Sequence, residues 1–155
     1  IECTEHLFDK PRFFQRAATW LRPGGRVAIC AWLAGDTSKD ALVQQVHDVC
    51  EGFLCPSLGT SKDYTKWMRD AGLVVERCED WTDRVCQTWE ICLRRVRRSG
   101  VRRLAPLVGR DAVRFLDRFE TLLNAYRSGA MRYGCIVAKS AGSCRSDSRH
   151  DLPGG

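Results

Sequence analysis

Cys50 and Cys55, spaced C-x4-C, and Cys86 and Cys92, spaced C-x5-C, are the closest thiol pairs in a chain with nine cysteines and three histidines, His6, His47 and His150. Structural zinc calls for tighter C-x2-C pairs, so this spacing predicts no metal centre. A nucleophilic thiol needs a base beside it, and no Cys–His pairing is visible along the chain. His47 falls at helical spacing beside Val43 and Val46, as a packed side chain does. An odd cysteine count, mostly embedded in apolar runs, builds no disulfide framework and predicts reduced thiols in a cytoplasmic protein.

Charge is the second source of chemistry. The net +6 is carried by 20 Arg and 5 Lys against 19 acidic residues, and residues 94–118 alone hold nine arginines against Asp111 and Asp117. Such a segment suits an anionic partner, nucleic acid or membrane, and equally the solvated face of amphipathic helices.

Alternating helices and strands must position these groups. At 155 residues, 44% hydrophobic and 28% charged, the chain fits one globular domain, and no apolar run reaches the roughly 20 residues that span a bilayer. The first six residues also lack the basic start and apolar centre of a signal peptide. Asp9, Pro11 and an apolar face at Phe14, Ala17, Ala18 and Leu21 predict a helix over 10–21. Pro23-Gly24-Gly25 stops it, and the unbroken apolar run 27–32 reads as a strand covered on both faces. A helix over 39–52, a loop to Gly59, a capped helix carrying Tyr64, Trp67, Met68 and Ala71, and a strand over 73–78 follow. Thr82 caps the next helix, which Gly100 ends; Ala112 to Tyr126 forms another, and Met131 to Lys139 a last strand. Beyond Ala141, Gly, Ser, Arg, Asp and Pro predict a disordered tail over 141–155.

Glu2-Cys3-Thr4-Glu5-His6-Leu7-Phe8-Asp9-Lys10, then Leu21-Arg22-Pro23-Gly24-Gly25-Arg26 and the strand to Trp32, resemble the second half of class I S-adenosylmethionine-dependent methyltransferases. The run from Tyr64 through Asp80-Trp81 and Trp89 to Tyr126, with Met131-Arg132-Tyr133-Gly134-Cys135, is similar to the gamma-tocopherol methyltransferase branch, beside sarcosine and dimethylglycine methyltransferases. The resemblance covers about residues 1–140. It implies an α/β fold, the C-terminal half of a Rossmann-like methyltransferase, with lid helices at about 39–71 and 83–128. The three strands would lie in the order 26–32, 131–139, 73–80, the last in sequence running antiparallel between the others.

The family's glycine-rich cofactor loop has no counterpart here, since Gly24-Gly25 precedes a strand instead of following one. The expected partner is therefore a missing N-terminal half of the domain, without which the first strand is an exposed edge and the chain is inactive. The resemblance also implies site residues. Glu2, Cys3 and His6 would flank S-adenosylmethionine, Glu5 and His6 would act as acid–base or orienting groups, and Trp32, Tyr64, Trp67 and Trp81 would wall the acceptor pocket. The bland readings are that Glu5 caps a helix, His6 is a packed imidazole, and Trp20 and Trp89 are core. The implied function is methyl transfer to a small or lipophilic acceptor, with no nucleic acid partner and a weak membrane-surface contact. The rival is a noncatalytic basic module that contacts nucleic acid or anionic membrane through Arg94–Arg118.

Overall fold

Between Trp20 and Arg26 the chain must end a helix and begin a strand, and it does so with Gly24 in the left-handed region, φ 73°. The computed structural model describes residues 1–36 and 38–141, with the side chains of residues 111 and 114 left aside. The expected tail lies outside the described residues. Helix α1 spans Lys10–Trp20, strand β1 Arg26–Ala34, α2 Asp40–Phe53, α3 Ser61–Asp70, β2 Leu73–Asp80 and α4 Thr82–Arg98. Then come α5 Val101–Val108, α6 Arg110–Ser128 and β3 Met131–Ser140, with a short 3-10 turn at Thr4–His6 preceding them all.

Caps set several of these boundaries. The Asp9 carboxylate accepts the Arg12 N–H at 2.9 Å. Thr60 and Asp63 exchange side-chain and backbone bonds at 2.8 and 3.1 Å as a capping box. Thr82, expected as a cap, is instead the first residue of α4. The Asp80 carboxylate takes its N–H at 2.8 Å, while its hydroxyl binds Asp80 and accepts the Tyr133 N–H at 2.9 Å, pinning α4 to β3.

The sheet order is β1-β3-β2, with β3 antiparallel to both neighbours, as the resemblance implied. Arg26 pairs with Lys139 at one end of β1 and Ala34 with Met131 at the other. Strand β2 is an edge, exposed along most of its length, with a bulge between Val75 and Arg77.

Helices cover both faces. On one, Phe14 of α1 and Tyr64 and Met68 of α3 pack on Ile29, Ala31, Leu33, Leu73 and Ile136. On the other, Val49 of α2 and Leu122, Ala125 and Tyr126 of α6 pack on Trp32, Met131 and Tyr133, with Trp89 of α4 beside them. The segment 39–71, expected as one lid, is thus divided between the two faces. Trp20, expected in the core, is 65% exposed, with the Arg16 guanidinium 5.7 Å over its ring. Val43 and His47 are exposed as well. Helix α5 was not foreseen. Gly100, read as the end of the preceding helix, also opens this one, and Gly109 closes it.

Candidate active site

The chain from Glu2 to His6 lies against the outer edge of β1. Glu2, at φ 49°, donates its N–H to the Cys30 carbonyl at 2.7 Å, and the chain then closes into the 3-10 turn. Thr4 anchors that turn, since it is 1% exposed and its hydroxyl accepts the Tyr64 O–H at 2.9 Å. Lys10 anchors the next turn. Its ammonium donates to the Leu7 carbonyl at 2.8 Å and to the Ser57 hydroxyl at 3.3 Å, and burial lowers its pKa.

These anchors carry Glu5 inward and leave His6 outward. Glu5 is 1% exposed, and burial raises its carboxyl above the ordinary carboxylate range. It caps no helix, because the 3-10 turn has no side-chain cap and α1 is capped by Asp9. His6 is exposed, not packed. Its Nδ1 lies 3.7 Å from the Cys55 sulfur, a pairing across 49 residues that the sequence did not show. Burial pushes the Cys55 thiol up to about 11, so the pair holds a protonated thiol and not a thiolate nucleophile.

Three buried polar atoms among the described residues have no hydrogen-bond partner: Glu5 Oε2, Trp32 Nε1 and the Tyr126 hydroxyl. Trp32 and Tyr126 share one packed cluster with Tyr133. Glu5 is close enough to raise both tyrosines, whose phenols are held well above their ordinary value first by burial and then by the Glu2 charge. Of these three groups, the indole N–H and the phenol share that cluster, and the Glu5 carboxyl acts on the phenol electrostatically. The surrounding walls are apolar, with Phe53 5.1 Å and Trp89 6.1 Å from the Trp32 ring. Unpartnered buried groups cost free energy in a packed interior, and such sets are found where a ligand supplies the missing bonds. Tyr133 also borders a cleft of about 500 Å³ at the carboxyl ends of β1 and β2, lined in part by Leu33, Asp36, Ser61, Asp80 and Arg132. Open α/β sheets place ligands at that end.

The expected acceptor wall divides. Trp32 and Trp81 belong to the face with Tyr126 and Tyr133, where the Trp81 N–H meets the Tyr133 carbonyl at 2.8 Å. The Trp81 indole donates to Glu79 at 2.9 Å and carries the Arg84 guanidinium over its ring. Tyr64 and Trp67 lie on the opposite face, 5.7 and 6.5 Å from the Phe14 ring. They are core there, and Tyr64 reaches the site only through Thr4. Cys3 is exposed at the start of the turn. Sequence reasoning missed Tyr126 as a site residue. It was legible only as one more apolar position on α6, although a hydroxyl on a buried stripe was a signal to follow.

A family model described as a methyltransferase domain matches residues 1–77. Arabidopsis thaliana tocopherol O-methyltransferase, a chloroplastic protein, is 24% identical over 147 residues, covering 90% of this chain and 42% of that one. Among solved structures, a Galdieria sulphuraria protein assigned as a sarcosine dimethylglycine methyltransferase superposes with a TM-score of 0.73 at 19% identity, covering 90% of this chain and 51% of the other. The Haemonchus contortus phosphoethanolamine N-methyltransferase 2, in complex with phosphomonomethylethanolamine and S-adenosylhomocysteine, gives 0.73 at 16% identity, covering 90% and 32%. The chain spans about half or less of the length of the relatives it matches. The match over residues 1–77, the sequence relatives and a sheet whose last strand runs antiparallel between the other two agree: the chain is similar to class I S-adenosylmethionine-dependent methyltransferases and shares their Rossmann-like fold.

Proposed function

We propose that this chain forms the acceptor-side wall of an enzyme that transfers a methyl group from S-adenosylmethionine to a small or lipophilic acceptor. The observation that carries this reading is the set of three unpartnered buried polar atoms. Glu2, Cys3 and His6 are the residues that would border the cofactor. The exposed acidic and imidazole groups suit a sulfonium and its amino-acid end, while the Cys30-bound backbone of Glu2 fixes their approach. When bound, S-adenosylmethionine supplies an electrophilic methyl carbon.

The chain's own residues then align and dehydrate the acceptor. Trp32, Phe53 and Trp89 exclude water, and Trp32 Nε1 and the Tyr126 hydroxyl donate hydrogen bonds to an acceptor oxygen. Glu5, whose carboxyl burial raises above its ordinary range, accepts or returns a proton inside the site, and His6 orients the acceptor from the rim. In the intact enzyme, His6→Ala and Glu5→Gln should each lower turnover by about 10²-fold with folding preserved. Near-normal turnover per folded molecule in both variants would reject the reading.

A second reading concerns the arginine segment and adds to the first. Helix α5 exposes Leu104, Leu107 and Val108 at 59, 83 and 81%. Arg97, Arg102 and Arg127 are held by Glu120, Asp117 and Glu90, whereas Arg94, Arg95, Arg98 and Arg103 have no ion pair among the described residues. Protruding leucines beside unpaired cations fit an anionic membrane surface better than nucleic acid. Sedimentation with phosphatidylglycerol vesicles should capture the protein, and Leu104→Glu with Leu107→Glu should abolish capture. Oligonucleotide binding that survives both changes would favour nucleic acid instead.

A further inference from the structure

Cys30 and Cys135 stand directly opposite each other on β1 and β3. In an antiparallel ladder, directly opposed residues alternate between hydrogen-bonded and non-hydrogen-bonded pairs, and one residue's N–H and C=O point to the same side. The Cys30 carbonyl accepts the Glu2 N–H at 2.7 Å on the outer edge of β1, so its backbone groups turn away from β3. The same polarity holds four residues on, where the Ala34 N–H meets the Gly59 carbonyl. On β3, the Tyr133 carbonyl, two residues before Cys135, faces Trp81 on the other side.

Cys30–Cys135 is therefore a non-hydrogen-bonded pair, the kind in which Cα atoms approach to about 4.5 Å and side chains come nearest. Disulfides bridge Cα separations of about 4.4–6.8 Å. Both side chains share the face of Trp32 and Tyr133, by the two-residue alternation of their strands, and Cys30 packs against that cluster. Both thiols are free and lie side by side.

We infer that Cys30 and Cys135 form a thiol–disulfide exchange site for a small disulfide such as glutathione disulfide, one side-chain row from the Trp32–Tyr133 row of the candidate active site. Cys30, partly exposed, is reached first. Its thiolate attacks one sulfur of glutathione disulfide, forming a mixed disulfide as the glutathione S–S bond breaks and one glutathione leaves. The Cys135 thiolate then attacks the Cys30 sulfur, forming the cross-strand bond and expelling the second glutathione. The protein gives up two electrons and two protons, and one glutathione disulfide becomes two glutathione thiols. Burial pushes the Cys135 thiol up to about 11.

The bridge ties β1 to β3 beside the aromatic row and holds Glu2 to a fixed Cys30. Methyl transfer should fall about tenfold on oxidation and return with dithiothreitol, a consequence that rests on the methyltransferase reading above. The site itself is tested without activity. The intact protein is equilibrated with glutathione disulfide, its remaining thiols are alkylated, and non-reducing peptide mapping is performed. A linked Cys30–Cys135 peptide, lighter by two hydrogens, is expected, and Cys135→Ser should stop at glutathione on Cys30. Cys30→Ala, melted alongside, controls for folding. Alkylation of both thiols, a stable Cys30–glutathione adduct in the unmutated protein, or a link to any other cysteine would overturn the proposal. A linked peptide with unchanged methyl transfer would keep the site and overturn only its coupling to activity.

Discussion

The two faces of the sheet solve the same packing problem with opposite treatment of their polar atoms. On the α1/α3 face, the deeply buried Tyr64 hydroxyl donates to Thr4 at 2.9 Å, and aromatic rings fill the remaining space around Phe14. On the α2/α4/α6 face, Trp32 Nε1 and the Tyr126 hydroxyl are buried without partners, Glu5 Oε2 stands near them, and two thiols face each other one row away. The first face is closed chemistry and serves stability. The second holds buried groups with no protein partner, the arrangement on which the proposed acceptor site rests.

Cutting into the closed face should have the largest effect. Phe14 is fully buried and touches Phe13, Tyr64 and Trp67, so Phe14→Ala should cost about 3–5 kcal/mol in urea unfolding, leaving the site's chemistry per folded molecule intact. The receptive face should respond in the opposite way. Tyr126→Phe removes an unpartnered hydroxyl, so thermal stability should hold or rise, while kcat/KM falls about tenfold, the value of one hydrogen bond made only to ligand. Loss of several kcal/mol with unchanged kinetics would dissolve the contrast between the faces.

The smallest effect is the most diagnostic. Because burial raises Glu5, the folded state keeps a proton that the unfolded chain releases at its ordinary value of 4.5. The native state therefore binds more protons than the unfolded one above that pH, and stability falls as pH rises through the window up to the raised value. Glu5→Gln should flatten that slope and raise stability near neutrality, while lowering turnover. A pH-independent difference between the two proteins would show that the carboxyl is not the group titrating.

Most element boundaries and the turn at Gly24 were legible because they rest on local rules, apolar runs, caps and glycine, while the strand order was implied by the family resemblance alone. The failures have a common cause. A stripe such as Tyr64, Trp67 and Met68 says that a helix face is buried but not which side of the sheet buries it, and here it was the side away from Trp32. Helix α5 was hidden because Gly100 and Gly109 are signals for ending structure, and the same residues start and stop a short helix with equal ease. The His6–Cys55 contact and the Cys30–Cys135 pair join residues 49 and 105 positions apart. Proximity of that kind is a property of topology, and no spacing rule along the chain reports it. Glu5 was found as a candidate through resemblance; its burial, which gives the residue its chemistry, needed the anchors at Thr4 and Lys10 to become visible.

The position of β3 has a consequence for how the protein is made. It is the middle strand of the sheet, yet it follows both of its partners in the chain, and Arg26 meets Lys139 across more than a hundred residues. As the chain leaves the ribosome, β1 and β2 have no ladder between them until Met131–Ser140 has emerged, and their apolar rows wait exposed through the synthesis of three intervening helices. Contacts so distant in sequence make nucleation slow. The interval before β3 docks is the period in which nascent chains are open to mispairing and to capture by chaperones.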